Sequence, residues 1–329
     1  MTRQNMLWFY LWGLILTGCK SEKDQEKQIN KEVAPIVYKD STFEVLLEKD
    51  IVYAHGLHHS SLNSGMTQSV PLKLDLYCPE NHRNNRPAFL FLHGNYGSKE
   101  QDEIKQLANY FCARGWVFIS ADYRTLGELG TVPEEWVVLN ESTPTVNELK
   151  TIALYPAHRD AKTAIRWIAA HAEIYDINPK HITIGGMSEG ADIAITLGIS
   201  EPQDFRDELT TEQDPSLVST YIDQDYSVST IIDLGGSKRS LDQLKNKYGF
   251  DRFDKNDPPM FIAHGTLNTL TPFHHATTLK KIYKSNKVPF AFYPMEGYNH
   301  NIWNGKIENQ HIDRIIFNFI VHQQSLKVK

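Results

Sequence analysis

The sequence contains little of what several protein classes require. It has three cysteines among 329 residues, too few for a disulfide scaffold. Acidic residues outnumber basic ones by 40 to 34, so the basic excess typical of nucleic-acid-binding proteins is missing. No apolar run reaches the roughly 18 residues that a membrane-spanning helix needs. The remaining composition, 41% hydrophobic and 22% charged, is that of a globular protein with one large α/β domain or two small ones.

The N-terminus has the pattern of an export signal. Arg3 precedes an apolar stretch over 6–16, which has the length of a signal peptide and is too short to span a bilayer. The stretch runs into Leu-Thr-Gly-Cys at 16–19, which resembles the lipobox of bacterial lipoproteins, where the cysteine is lipidated after cleavage. An ordinary cleaved signal peptide with a chance cysteine is the alternative. We expect a signal peptide over 1–18, acyl chains such as palmitate on Cys19, a polar tether over 19–40, and a folded domain over 41–329 held at a bacterial membrane.

The other cysteines and several clustered histidines are interpreted as structural. Cys78 ends an apolar strand pattern and Cys112 lies in a helical pattern, so both are expected to be buried thiols. An oxidising compartment leaves a disulfide between them open. No cysteine or carboxylate pattern completes a metal site around five histidines, which we expect to face solvent and to bind no metal: His55, His58, His59, His274 and His275.

In the folded part, predicted strands alternate with predicted helices. Residues 88–92 form a continuous apolar run, typical of a strand buried on both faces. The alternation of apolar and polar residues over 70–78 indicates a half-buried strand near an edge. These patterns predict a mostly parallel sheet with helices on both faces, whose ligands bind beyond the carboxyl ends of the strands. Strands are predicted at 43–53, 70–78, 88–92, 116–121, 181–184, 228–232, 260–263 and 290–293, and helices at 101–114, 156–168, 191–199, 240–247, 272–283 and 307–321.

One strand-to-helix junction has the pattern of a nucleophile elbow. The sequence Gly186-Met-Ser188-Glu-Gly190 stands between a predicted strand and a predicted helix, which is the context that this motif requires. The serine must occupy a tight turn that exposes its Oγ, and bulkier residues two positions away would collide with the strand and helix. A glycine-rich turn with a solvated serine is the alternative. The pattern favours Ser188 as a catalytic nucleophile.

Several ordered matches indicate a family. His93-Gly94-Asn95 follows one buried strand, Asp122-Tyr-Arg follows the next, and Asn299-His300 comes after the last. From about residue 70 to 322 the chain resembles the α/β-hydrolase superfamily, and more closely its exported carboxylesterases of the acetylxylan and feruloyl esterase type. The resemblance implies an α/β-hydrolase fold without a cofactor, with small insertions over the active site. It further implies that Ser188 is the nucleophile, that His300 is the general base, and that the backbone N–H groups of Asn95 and Glu189 form the oxyanion hole.

The third member of the catalytic triad departs from the family pattern. Family members usually have an aspartate where this chain has Asn268, and in serine proteases that exchange costs about 10⁴ in turnover. Asn268 could orient His300 in a slower enzyme. Alternatively, Asp233 could supply the carboxylate, as in lipases whose acid follows the preceding strand. The acid could also lie elsewhere, or the site could be impaired.

The expected function is ester hydrolysis through an acyl-enzyme, on a small ester or an acylated carbohydrate. The alternatives are a serine peptidase of the same fold and a catalytically impaired binding protein, for which Asn268 is the support. Two insertions are expected over the site, at 127–150 and 201–227. The second contains eight acidic residues and one basic residue, Arg206, and would repel anionic substrates if its charges faced the entrance.

Overall fold

The computed structural model describes residues 33–81, 84–137 and 152–329. The signal peptide, Cys19 and residues 138–150 of the first insertion lie outside these ranges. In chain order the elements are β1 (Ile36–Val37), β2 (Val45–His59), β3 (Thr67–Pro79), β4 (Arg86–Leu92), α1 (Asp102–Cys112), β5 (Val117–Ala121), α2 (Tyr155–Ala170), β6 (Ile177–Met187), α3 (Glu189–Ile199), a 3₁₀ helix (Pro215–Ser219), β7 (Thr230–Leu234), α4 (Arg239–Tyr248), β8 (Met260–Gly265), α5 (His274–Asn286), β9 (Phe290–Met295), β10 (Lys306–Ile307), β11 (Gln310–His311), α6 (Ile312–Gln323) and β12 (Lys327–Val328).

Eight of the strands form one twisted sheet in the order β2-β3-β5-β4-β6-β7-β8-β9. The pairs β2/β3 and β3/β5 are antiparallel, and every pair from β5 to β9 is parallel. The chain passes from β4 to β5 on one side and then to β6 on the other, so both strands that follow β4 are its neighbours. The carboxyl ends of β6, β8 and β9 consequently meet along one edge of the sheet, and the loops after them are close together.

Helices cover both faces of the sheet. On one face α1 and α6 share a core with Phe89 and Phe91, while α2 to α5 cover the opposite face and share its core with Ala88 and Leu90. Successive side chains of β4 therefore point into two different cores, which explains why its sequence is continuously apolar. The predicted mostly parallel α/β sheet with helices on both faces is confirmed.

Two details differ from the sequence predictions. Ile36 and Val37, assigned to the polar tether, form β1 and pair in parallel with β12, so the folded part begins before residue 41. Residues 70–78, predicted near an edge, belong to β3, which lies between β2 and β5. Its alternating polar residues are accommodated by specific contacts, since Asp75 is buried and bound by Lys99 at 2.8 Å.

The structure also addresses the membrane and cysteine predictions. Among the helices within the described residues, none is long and apolar enough to cross a bilayer. Cys78 and Cys112 are both buried, as expected, and they do not form a disulfide with each other.

Candidate active site

Ser188 occupies the tight turn between β6 and α3. Its backbone has φ 55° and ψ −120°, an unfavourable conformation for a residue with a side chain, which persists only where the surroundings enforce it. A Cβ on Gly186 would collide with the backbone of Gly190, and a Cβ on Gly190 would collide with the carbonyl oxygens of Leu92 and His93. The two glycines therefore let the turn close, and the turn presents the Ser188 side chain beyond the strand ends.

His300 and Asn268 extend from Ser188 in one chain of polar contacts. The Nε2 atom of His300 lies 2.8 Å from the Oγ of Ser188, and its Nδ1 atom lies 3.2 Å from the Oδ1 of Asn268. Ser188 follows β6, Asn268 follows β8 and His300 follows β9, so three separate loops contribute to the arrangement. Nucleophile, base and orienting group within hydrogen-bond reach of one another are the geometry expected for nucleophilic catalysis.

The amide of Asn268 is held in one orientation. Its Oδ1 accepts hydrogen bonds from the backbone N–H groups of Leu270, at 3.1 Å, and Thr271, at 2.9 Å. Rotating the amide by 180° would place its NH₂ group against these two donors. The oxygen therefore faces His300, whose Nδ1–H donates to it, and Nε2 is left unprotonated toward Ser188. The tautomer that a general base requires is thus fixed without a carboxylate.

The electrostatics of His300 differ from those of a triad with an acid. Burial lowers the pKa of His300, and no carboxylate raises it in return. The imidazole is consequently neutral at pH 7 and can accept a proton. The imidazolium that forms during proton transfer, however, has an amide dipole beside it rather than a negative charge.

Asp233 lies at the end of β7 and makes no hydrogen bond to His300. Its Oδ1 accepts from the backbone N–H of Gly236 at 2.7 Å, while its Oδ2 is buried without a partner. Complete burial raises the pKa of Asp233 to about 7. The contact with His300 is made by Asn268 instead, so the structure does not bring this alternative acid into the arrangement.

Replacing Asp233 by asparagine is expected to leave kcat within a few-fold of wild type and to change the pH dependence of stability. A folded-state pKa above the unfolded value means that stability falls as pH rises from about 4 to about 7. Asp233→Asn removes this loss. At pH 8 the free energy of unfolding of the variant should therefore exceed that of the wild type by up to about 4 kcal/mol, because each unit of pKa shift is worth 1.36 kcal/mol.

Urea unfolding at pH 4 and pH 8 measures this gain, with the exposed Asp223→Asn as matched control. A variant whose kcat drops by several orders of magnitude would instead make Asp233 the catalytic acid.

The turn after β4 lies against Ser188. A Cβ on Gly94 would be 3.4 Å from the Cβ of Ser188, so the backbone passes directly beside the nucleophile. The N–H of Asn95 donates no hydrogen bond within the described part of the chain, and Glu189 supplies the first N–H of α3. Because N–H groups at a helix start favour negative charge, both predicted oxyanion-hole donors belong to backbone that borders Ser188.

The sequence analysis did not predict the contacts of Tyr123 and Arg124 that support the turn after β4. The hydroxyl of Tyr123 donates to the carbonyl oxygen of His93 at 2.6 Å, and the two rings stack at 4.4 Å. The next residue, Arg124, forms a buried bidentate ion pair with Asp160, at 2.6 and 2.8 Å. The sequence Asp122-Tyr123-Arg124 was recognised as a family match, but no pattern in it shows which group Tyr123 would hold.

Both ends of the acidic insertion 201–227 lie away from Ser188. It follows α3, which starts at Ser188 and carries the chain about 16 Å away at 1.5 Å per residue. At its far end, Ser227 bonds the carbonyl of Pro179 near the amino end of β6. Its charges are also used locally, since Asp204 is paired with Arg252 at 2.8 Å and Asp207 with Arg206. These contacts do not support the expected repulsion of anionic substrates at the entrance, which stays a prediction.

Trp136, in the described part of the first insertion, is buried against Tyr155 and Phe205.

The prediction that the clustered histidines face solvent was partly wrong, because His59 is buried and bonded to Ser64 and Thr131. Within residues 33–81, 84–137 and 152–329, no group of three or more histidines, cysteines and carboxylates is arranged to hold a metal ion.

Comparisons with known proteins agree with this architecture. The BD-FAE family matches residues 147–248, less than a third of the chain. No curated protein sequence matches the chain. Among solved structures, a truncated carbohydrate esterase from gut microbiota superposes with a TM-score of 0.58 at 17% identity, covering 89% of this chain and 100% of that one.

A thermophilic esterase from the Planctomycetes species Thermogutta terrifontis superposes with a TM-score of 0.53 at 21% identity, covering 80% of this chain and 92% of that one. The same esterase, esterase 2, phosphorylated by paraoxon gives a TM-score of 0.54 at 21% identity, covering 83% of this chain and 95% of that one. The strand order, the turn at Ser188 and these similarities together show that the chain has the α/β-hydrolase fold.

Proposed function

We propose that this protein is a serine ester hydrolase. The observation that carries the proposal is the contact chain from Ser188 through His300 to Asn268, built on a strained turn at the carboxyl edge of the sheet. The similarity to the BD-FAE family and to solved esterases supports the same reaction class. The organophosphate adduct of one of these relatives is the chemistry expected of an activated nucleophile.

The geometry supports a two-step mechanism. Ser188 Oγ attacks the ester carbonyl while His300 Nε2 takes its proton, and the carbonyl oxygen becomes negatively charged within reach of the N–H groups of Asn95 and Glu189. His300 then donates the proton to the leaving alcohol, and an acyl-enzyme remains. Water, deprotonated by His300, attacks the acyl group and releases the acid and free Ser188.

An acylated carbohydrate is the substrate class that we propose. The support is the similarity to a carbohydrate esterase from gut microbiota, which spans all of that chain. A lipid-anchored enzyme outside the cell would also meet its polysaccharide substrates there, and it needs no cofactor for this chemistry.

Initial rates on p-nitrophenyl acetate, butyrate and octanoate, beside acetate release from an acetylated polysaccharide, test the proposal. We expect turnover to be fastest with acetate and to extend to the polysaccharide. Absence of hydrolysis of every ester by folded protein would favour the binding-protein alternative. Cleavage of a p-nitroanilide faster than the matching ester would indicate a peptidase.

We also propose that the chain is exported and lipid-anchored through Cys19. In a bacterium that processes lipoproteins, the protein should be recovered with membranes, and its mass should exceed that of the chain from residue 19 by the mass of its acyl chains. Cys19→Ser should lose that added mass and appear in the soluble fraction. Intact-mass spectra without lipid in either protein would contradict the anchor. Cys112→Ser, which changes a buried cysteine, is the matched control.

A further inference from the structure

A polar pocket lies at the amino edge of the sheet, away from Ser188. It has a volume of about 250 Å³, which corresponds to roughly eight water molecules at about 30 Å³ each. The residues that border it come from the end of α2, the end of α3 and the loops before β7 and β8. Because α3 separates the two places by about 16 Å, the pocket is distinct from the proposed catalytic arrangement.

Arg166 lines this pocket. Its side chain is 97% buried, since the residue is 3% exposed, and it makes no hydrogen bond or ion pair within the described residues. Two other buried arginines are each paired with a carboxylate: Arg124 with Asp160, and Arg252 with Asp204. Withdrawing a guanidinium from bulk water without protein acceptors is costly unless the contents of the pocket supply acceptors.

Two hydroxyl groups beside Arg166 also lack partners. The Oγ of Ser200 is buried and makes no hydrogen bond, and the hydroxyl of Tyr226 makes none among the described residues. Burial raises the pKa of Tyr226 to about 12, so its hydroxyl remains protonated and able to donate. One guanidinium and two hydroxyls therefore border the same space as hydrogen-bond donors.

The neighbouring charges leave Arg166 available. Arg206 also borders the pocket, but Asp207 binds its guanidinium at 2.5 and 2.8 Å. Asp225 borders the pocket from an exposed position and makes no ion pair with Arg166. The buried end of the pocket thus carries a guanidinium that no carboxylate binds directly, although Asp207 is close enough to act on its charge.

We propose that this pocket binds the carboxylate of a small organic acid, with Arg166 as the main ligand. The planar guanidinium matches a carboxylate with two parallel N–H···O bonds, and the hydroxyls of Tyr226 and Ser200 complete the donors. The volume fits an acid of sugar size rather than a polymer. The mouth, bordered by Asp225 and Asn256, would face the uncharged remainder of the ligand.

Titration calorimetry on the full-length protein, at constant ionic strength, tests the site. The probes are glucuronate, its uncharged counterpart glucose, acetate and sulfate. We expect saturable binding of glucuronate, weaker binding of acetate and none of glucose. Saturable binding of sulfate alone, or the same response to glucose and glucuronate, would overturn the assignment of a carboxylate.

Three variants locate the binding. Arg166→Gln should weaken glucuronate binding at least tenfold, and Tyr226→Phe, which removes one hydroxyl from the pocket, should weaken it several-fold. Arg314→Gln makes the same charge change on the exposed face of α6 and should bind as wild type does. Unchanged affinity in Tyr226→Phe and in folded Arg166→Gln would overturn the proposal. If Arg166→Gln does not fold, the Tyr226→Phe result alone decides.

Discussion

Replacing Ser188 by alanine is expected to lower kcat for ester hydrolysis by about 10⁶-fold, the scale found when the nucleophile of a serine hydrolase is removed. The change deletes one oxygen, and with it the group that forms the acyl-enzyme. The fold should persist, because the turn depends on Gly186, Gly190 and the hydrogen bond from the Ser188 N–H to the carbonyl of Leu234. Alanine can use the same backbone hydrogen bond.

Steady-state rates with p-nitrophenyl acetate and far-ultraviolet circular dichroism measure this prediction. Ser285→Ala is the matched control, since it removes a serine hydroxyl from the exposed surface of α5. It should retain the wild-type kcat. A Ser188→Ala protein that keeps more than a few per cent of the wild-type rate would place the nucleophile elsewhere.

Replacing Asn268 by aspartate is expected to raise kcat by about 10- to 1,000-fold. A carboxylate next to an imidazolium shifts the histidine pKa by about 1 to 3 units, and each unit is worth 1.36 kcal/mol, or a factor of ten. The N–H groups of Leu270 and Thr271, which now bond the amide oxygen, would equally stabilise the new negative charge.

The gain should stay below the 10⁴ that separates aspartate from asparagine in serine proteases. That larger factor includes a histidine held in the wrong tautomer. Here the amide oxygen faces His300, so the tautomer is already correct and only the missing charge remains to be supplied.

The pH profile provides a second readout for Asn268→Asp. Activity requires neutral His300 and is lost as the pH falls through its pKa. In the wild type burial lowers that pKa, so the acidic midpoint should lie below about 6.5, the ordinary histidine value. In the variant the new carboxylate raises the pKa, and the midpoint should move to higher pH. A variant with unchanged kcat and an unchanged midpoint would show that residue 268 does not act on His300.

The sequence predicted local structure best at positions where a single physical requirement restricts the choice of residue. The continuous apolar run over 88–92 predicted a strand buried on both faces, and β4 is such a strand. The glycines flanking Ser188 predicted a tight strand-to-helix turn, which the structure contains. Both patterns express local constraints, namely burial and close backbone approach, that leave little choice of residue.

The sequence did not predict which residues from distant segments contact each other. The sequence left Asn268 and Asp233 as alternative acids because both follow neighbouring strands. Which of them contacts His300 depends on the direction in which each loop turns. The starting point of the acidic insertion could not be derived for a similar reason, since the length and direction of α3 decide at which edge of the sheet it begins.

The central claim is that His300 activates Ser188 as a nucleophile, and covalent trapping tests it most directly. The protein is incubated with a fluorophosphonate, digested, and mapped by mass spectrometry, with wild type, Ser188→Ala and His300→Ala treated alike. The account predicts one adduct per wild-type chain, located on Ser188, none in Ser188→Ala, and labelling slowed by several orders of magnitude in His300→Ala. An adduct on another residue, or wild-type labelling rates in His300→Ala, would contradict it.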